Sequence, residues 1–239
     1  MPRSNGLRQS WTPDSMIAVE DRTTALRSQM VSRLNRAGVL VTPAVKEAMG
    51  HVPRDLFLPH VEVQSAYLDH AVMVKHGDDG IPISSASQPT IVATMLELLQ
   101  VGLGNRVLEI GTGTGYNAAL LAALVGDGGY LVSIELEPDL AERAVQILSS
   151  LGYAVEVVVG DGRDGYPQRA PYDRVIVTSG ANEVVTPWST QLVDGGRMVV
   201  PIVDHHGVGS IVVFEKVGGE LIRGAETPCA FLPIRDAAN

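Results

Sequence analysis

The chain has 239 residues, 45% hydrophobic and 19% charged, which is enough apolar material for one large buried core and excludes wholesale disorder. Its formal charge of −9, from 27 acidic and 18 basic residues, opposes general binding to nucleic acid, because no excess of cations is present to displace counterions. The single cysteine, Cys229, excludes an internal disulfide and any multi-cysteine zinc site.

Residues 1–21 read as a flexible tail, since Pro2, Asn5, Gly6 and Pro13 oppose regular structure. No apolar stretch there resembles a secretory signal, and the longest apolar run, Ala118 to Val125, is too short to cross a bilayer. The expectation is a soluble cytoplasmic protein without a membrane partner. Helical spacing of Leu26, Met30, Val31 and Leu34 predicts a first helix from near Thr24 to Gly38. Thr42-Pro43, a capping residue followed by proline at the first helical position, opens a second helix that ends before Pro53. Residues 54–90 read as irregular, broken by Pro59, Gly77, Gly80, Pro82 and Pro89, and so long a segment is expected to be functional or mobile. Residues 22–88 thus form an N-terminal helical and irregular cap ahead of a domain at 89–239.

From Pro89 onward helix and strand alternate. A helix covers Thr90 to Leu99, and strands follow at 106–110, 130–134, 155–159, 174–178 and 198–201, the last after the turn Asp194-Gly195-Gly196. Helices fall at the Ala/Leu run ending at Val125 and at Pro138 to Leu151. Continuous Val/Ile/Leu strands separated by helices predict an α/β, doubly wound, mostly parallel Rossmann-like sheet with helices on both faces. Residues 208–217 alternate in polarity and read as an antiparallel partner turning at Gly218-Gly219.

The informative segment is Val107-Leu-Glu109-Ile-Gly111-Thr112-Gly113-Thr-Gly115. Glycines at alternate positions after a strand let the backbone turn sharply and approach a ligand, which binds at the carboxyl ends of such strands. A dinucleotide fingerprint would need glycine where Tyr116 stands, and Glu109 would repel a pyrophosphate. Both features count against a nicotinamide oxidoreductase and suit a phosphate-free, positively charged ligand. S-adenosylmethionine, an adenosine joined to a sulfonium amino acid, is such a ligand. Glu135, ending the second strand, can accept both ribose hydroxyls, and Asp161-Gly162, after the third, can accept from the adenine amino group. Acids at three successive strand ends make a methyltransferase-type site.

An ordered set of segments resembles the protein-L-isoaspartate O-methyltransferase family over about 22–234: Val52-Pro-Arg54 with Phe57-Leu-Pro59, Ala66-Tyr67-Leu-Asp69, Glu109 to Gly115, Gly160-Asp161-Gly162-Arg163, Ala170-Pro171-Tyr172-Asp173, Gly195-Gly196-Arg197 and Phe231-Leu-Pro233. The resemblance implies methylation of an isoaspartyl carboxylate in proteins or peptides by S-adenosylmethionine, leaving S-adenosylhomocysteine and an ester that collapses to succinimide. It implies donor contacts at Glu109, Gly111, Thr112, Gly113, Gly115, Glu135, Asp161 and Gly162. It also implies substrate-side roles for Tyr67, Asp69, Ser85, Gln88, Pro89 and Thr90, with Ser87 between the methyl and the substrate carboxylate. The family loop reads Ser-Ala-Pro followed by a ring-bearing residue. Here it is Ser87-Gln88-Pro89-Thr90, a departure on the substrate side. That leaves open a dedicated aspartate methyltransferase that forms aspartimide in a ribosomally made peptide. A non-catalytic adenosylmethionine-fold binding protein is the alternative of another class. Asp204-His205-His206 reads as a solvated loop, with no metal expected, and Cys229 as an inert thiol.

Overall fold

The computed structural model describes residues 13–235, with side chains from residue 21. Helix α1 spans Pro13–Arg36 and α2 spans Pro43–His51. The first helix therefore begins well before Thr24, and the remainder of the expected tail, 1–12, lies outside the described residues. Pro13 misled because proline opposes a helix interior but suits a first turn. Thr42 caps α2 as expected, its side chain accepting from the Val45 N–H.

Residues 54–90 are less irregular than expected. They hold a 3-10 turn at Arg54–Phe57, the short helix α3 (Val63–Ala66), and a hairpin of β1 (Val72–His76) and β2 (Pro82–Ala86). The hairpin is antiparallel, pairing Val72 with Ala86 and Met73 with Ser85.

The rest alternates as expected: α4 (Pro89–Leu99), β3 (Arg106–Ile110), α5 (Tyr116–Val125), β4 (Tyr130–Glu135), α6 (Pro138–Ser150), β5 (Glu156–Val159), β6 (Tyr172–Val177), α7 (Thr186–Gln191), β7 (Leu192–Val203), β8 (Val208–Val217) and β9 (Glu220–Ala230). The seven-stranded sheet has the order β5-β4-β3-β6-β7-β8-β9. The first five are mutually parallel, and β8 and β9 add antiparallel. Asp194-Gly195-Gly196 is not a turn ahead of β7 but a bulge within it: Leu192 pairs with Tyr172, and Arg197 already pairs with Arg174.

Two apolar layers flank the sheet. Val107, Leu131, Ile176 and Val199 face α4, α5 and the cap, with Met30, Met49 and Phe57 in the same cluster. Leu108, Ile110, Val132 and Val175 face the opposite layer, which Trp188 and Leu192 close. The helical cover is uneven, because among the described residues α7 is the only α-helix in that second cluster. Met30, Met49 and Phe57 thus share one continuous core with the sheet.

Candidate active site

Strand β3 sits where the winding reverses, with β4 and β5 to one side and β6 and β7 to the other. In such sheets the crevice beyond the carboxyl ends at this point is the ligand site. Here that crevice is a cavity of about 370 Å³, within the range of small-molecule sites. Its floor is Gly111 and Gly113 after β3, Glu135 at the end of β4, Gly162, and Thr178 after β6. Ser84, Ser85, Ser87 and Gln88 wall it from the hairpin side, and Phe231 to Arg235 from the C-terminal side.

The glycine turn is forced. Gly111 has φ +100°, and a Cβ there would lie 2.4 Å from the Thr178 Oγ1, so only glycine fits. The Thr178 hydroxyl donates to the Gly111 carbonyl at 2.6 Å. Glu135 accepts the Gly113 N–H at 2.7 Å and the Glu137 N–H at 3.0 Å, so the acid on the wall also holds the turn. Burial pushes its pKa up, and these backbone donors pull it back.

Glu109, Asp161, Gly115 and Tyr67, all expected contacts, lie off the cavity wall. Glu109 is fully buried and off the cavity wall, accepting from Ser133 Oγ at 2.5 Å and Asn117 Nδ2 at 2.7 Å. Its register partner on β4 is Ser133, so both side chains leave the same face of the sheet while Ile110 takes the cavity side. Asp161 is paired with Arg163 (Nη2 to Oδ2, 2.6 Å) and caps the Arg163 N–H, leaving Gly162 to line the cavity. Gly115 packs on α6, where a Cβ would sit 3.3 Å from that of Ala144. Tyr67 is a core residue whose hydroxyl donates to Asp55.

Thr112 shares a hydrogen bond with Ser133 at 2.6 Å and lines a recess of about 50 Å³ behind the turn. On the substrate side, Ser85, Ser87 and Gln88 reach the cavity. Asp69, Pro89 and Thr90 instead build the start of α4: Asp69 accepts the Thr90 N–H at 2.9 Å, the Thr90 hydroxyl at 2.6 Å and the Gln88 amide at 3.0 Å.

Sequence reasoning missed Arg54, fully buried behind Ser87, to whose carbonyl it donates at 2.8 Å. It also missed Glu137, which receives Lys75 and Arg235 at the cavity rim, each at 2.5 Å. Arg54 lay in a matched segment without a role. The Glu137 cluster joins three distant segments and leaves no local pattern. His205 and His206 stack at 3.9 Å, and among the described residues no group of three His, Cys, Asp or Glu could hold a metal. Burial pushes the Cys229 thiol up to about 11. No helix among the described residues is long and apolar enough to cross a membrane.

A glycine turn at the switch point, with an acid at the next strand end gripping that turn and Tyr116 where a dinucleotide fingerprint needs glycine, marks a class I, Rossmann-like methyltransferase. Comparison with known proteins narrows the class. The family model for protein-L-isoaspartate(D-aspartate) O-methyltransferase matches residues 25–239. The chain is 39% identical over 233 residues to the protein-L-isoaspartate O-methyltransferase of Hyperthermus butylicus, covering 94% of this chain and 92% of that one. It is 41% identical over 211 residues to protein-L-isoaspartate O-methyltransferase 2 of Archaeoglobus fulgidus, covering 87% and 92%. A solved protein-L-isoaspartate O-methyltransferase superposes with a TM-score of 0.80 at 34% identity, covering 88% of this chain and 66% of that longer one. The chain belongs to the protein-L-isoaspartate O-methyltransferase family.

Proposed function

We propose that the chain uses S-adenosylmethionine to methylate the carboxylate of L-isoaspartyl residues in peptides and proteins, giving S-adenosylhomocysteine and an ester that closes to succinimide. The observation that carries this is the shared cavity: Ser87 faces the same space as Gly111, Gly113 and Glu135. Donor and acceptor sides therefore meet in one enclosure.

The residues suit that donor. Glu135 offers acceptor oxygens to ribose hydroxyls. Gly111, Gly113 and Gly162 admit the donor close to the backbone, while Glu109 and Asp161 act from behind by fixing β4 and the turn after β5. Bound S-adenosylmethionine supplies an electrophilic methyl on a sulfonium. The acceptor carboxylate is already ionised at neutral pH, so no base is needed. The chain's work is alignment and exclusion of water, and alignment alone removes about 7–11 kcal/mol of barrier in favourable cases. Ser87 supplies a hydroxyl to orient the carboxylate, with the hairpin and C-terminal segment as walls. The peptide substrate enters between them.

The test is methyl transfer from labelled donor to two matched peptides, one with isoaspartate and one with aspartate. Only the isoaspartyl peptide is expected to be labelled efficiently. Ser87→Ala should lower kcat by roughly 10–100-fold, the range for losing a positioning contact, and leave S-adenosylhomocysteine affinity within about 3-fold, a change below 1 kcal/mol. Preference for the aspartyl peptide would reject the isoaspartyl reading. Equal loss of affinity and turnover would reject the role of Ser87.

A further inference from the structure

Asp204, His205 and His206, in the turn between β7 and β8, are exposed, yet His206 also lines the cavity, together with Gly207. The turn has a set shape. The Asp204 carboxylate accepts the His206 N–H at 2.8 Å and the Val208 N–H at 3.0 Å, and the Gly207 N–H donates to the Asp204 carbonyl at 2.9 Å. Gly207 has φ +78°, and a Cβ there would sit 2.3 Å from the Phe231 carbonyl oxygen. The Phe231 N–H donates to the Gly207 carbonyl at 2.8 Å, so the turn is fastened to the C-terminal wall of the cavity. His206 is thus carried on a fixed support. Its ring rests against His205, with centres 3.9 Å apart, and among the described residues no hydrogen bond takes its ring nitrogens.

Topology puts His206 on the acceptor side. Val199 of β7 pairs with Ile176, so β7 runs on three residues beyond the end of β6, about 10 Å above the cavity floor. The turn therefore stands at the mouth. Laterally, β7 lies three strand spacings from β4 and its Glu135, about 14 Å, and two from β3 and the glycine turn, about 10 Å. An extended peptide advances about 3.3 Å per residue, so with the isoaspartate over the glycine turn His206 meets a residue two or three positions away. Charge decides the class of that residue. Among the described residues that line the cavity, Glu135 is the only acid, and Arg235 is already taken by Glu137. His206 is the basic group left open to the peptide. We infer that His206 is a specificity-determining residue that selects isoaspartyl peptides with a side-chain carboxylate within three residues of the isoaspartate. An imidazole N–H donates to a carboxylate, and a carboxylate so close itself favours the cationic ring. The inference rests on the isoaspartyl reading above and deepens it by naming the substrate class. A contact this far from the methyl holds the peptide equally before and during transfer, so it acts on KM and not on kcat.

Steady-state methylation of six isoaspartyl peptides tests this. They are alike except for paired Glu, Gln or Lys residues at the second and third positions, either before or after the isoaspartate. On one side of the isoaspartate, the KM ratio of the Gln peptide to the Glu peptide should be about 3–5-fold higher in the wild type than in His206→Ala, the upper range for an exposed charge contact. The kcat values should agree within about 2-fold. The net charge of −9 bears on both proteins alike, so the comparison removes it. The Lys peptide should shift the opposite way, and His206→Lys should restore the preference for Glu. Because the side chain is exposed, both variants should keep the wild-type Tm within about 2 °C. The same KM ratio in wild type and His206→Ala on both sides of the isoaspartate overturns the inference and leaves the isoaspartyl reading standing. A changed ratio that His206→Lys does not restore overturns it as well, as does a loss confined to kcat. No methyl transfer to any of the six peptides overturns the isoaspartyl reading and this inference with it.

Discussion

Glu109 carries a carboxyl group with none of its surface in water. Desolvation pushes its pKa from the usual 4.5 up to about 7, against hydrogen bonds from Ser133 and Asn117 that favour the ionised form. Its folded pKa lies above its unfolded value, so between about pH 4.5 and 7 the folded chain keeps a proton that the unfolded chain has released. Stability therefore falls as pH rises through that window and is level beyond it. A shift of this size is on the order of 3 kcal/mol. Glu109→Gln stays neutral throughout and keeps both hydrogen-bonding ends. Urea denaturation at pH 5, 6, 7 and 8 should show a flatter profile for the variant, which becomes the more stable protein by about 1–3 kcal/mol at pH 8; identical slopes would refute the buried-proton account. The glycine motif made Glu109 legible as important, but not its direction. In a sheet buried on both faces, apolar neighbours such as Leu108 and Ile110 do not reveal which side a given residue takes.

At the scale of elements, α4 begins in an unusual way. Its own N-cap residue, Gln88, makes no side-chain capping bond, and the capping carboxylate is Asp69, nineteen residues earlier in the chain. Both departures from the family loop, Gln88 and Thr90, donate to that one carboxylate, so they form a single structural feature rather than two independent changes. Asp69→Ala should cost about 0.5–2 kcal/mol, the value of a lost cap, and lower Tm by roughly 2–4 °C per kcal/mol. Because Gln88 is also a cavity wall, peptide KM should rise more than the Kd for S-adenosylhomocysteine. Equal changes in both would reduce Asp69 to a purely structural cap. Elements with a strong local signal, such as α2 with its Thr42-Pro43 start and the strand at 106–110, were legible to within a residue or two. The β1–β2 hairpin was not. Its strands are five residues each, mix polar with apolar side chains and include Pro82, and such a hairpin gains stability only from what it packs on. Asp79-Gly80 between Val72-Met73-Val74 and Ile81-Pro82-Ile83 was the available turn signal.

Across the whole molecule, three segments far apart in sequence close over one cavity. The hairpin reaches it through Met73 and Ile83, the loop after β4 through Leu136, and the C-terminal segment through Arg235, while Lys75 and Arg235 both pair with Glu137 between them. That last segment is fastened from beneath, since the Gly180 N–H donates to the Leu232 carbonyl at 2.8 Å and the Ile234 N–H to the Gly180 carbonyl at 2.7 Å. Its end is tied across by the Arg235–Glu137 pair. Lys75 and then Arg235 hold the Glu137 pKa below the usual carboxylate range, so the tie is complete at neutral pH and is released only as pH falls through that lowered value. All three side chains keep 19–30% of their surface in water, so the network adds less than about 1 kcal/mol to global stability. Its effect is on local opening instead, because loosening two walls exposes the cavity without unfolding the core. Glu137→Gln should leave Tm within about 2 °C while amide exchange over residues 72–86 and 231–235 accelerates several-fold, and dissociation of S-adenosylhomocysteine should quicken with it. Salt offers an independent check, since raising ionic strength to about 1 M shortens the screening length to near 3 Å. High salt should speed exchange in the wild type and do so less in Glu137→Gln, where only the Lys75–Asp139 pair still ties the hairpin; the same salt response in both proteins would mean that the Glu137 ion pairs do not hold the walls together.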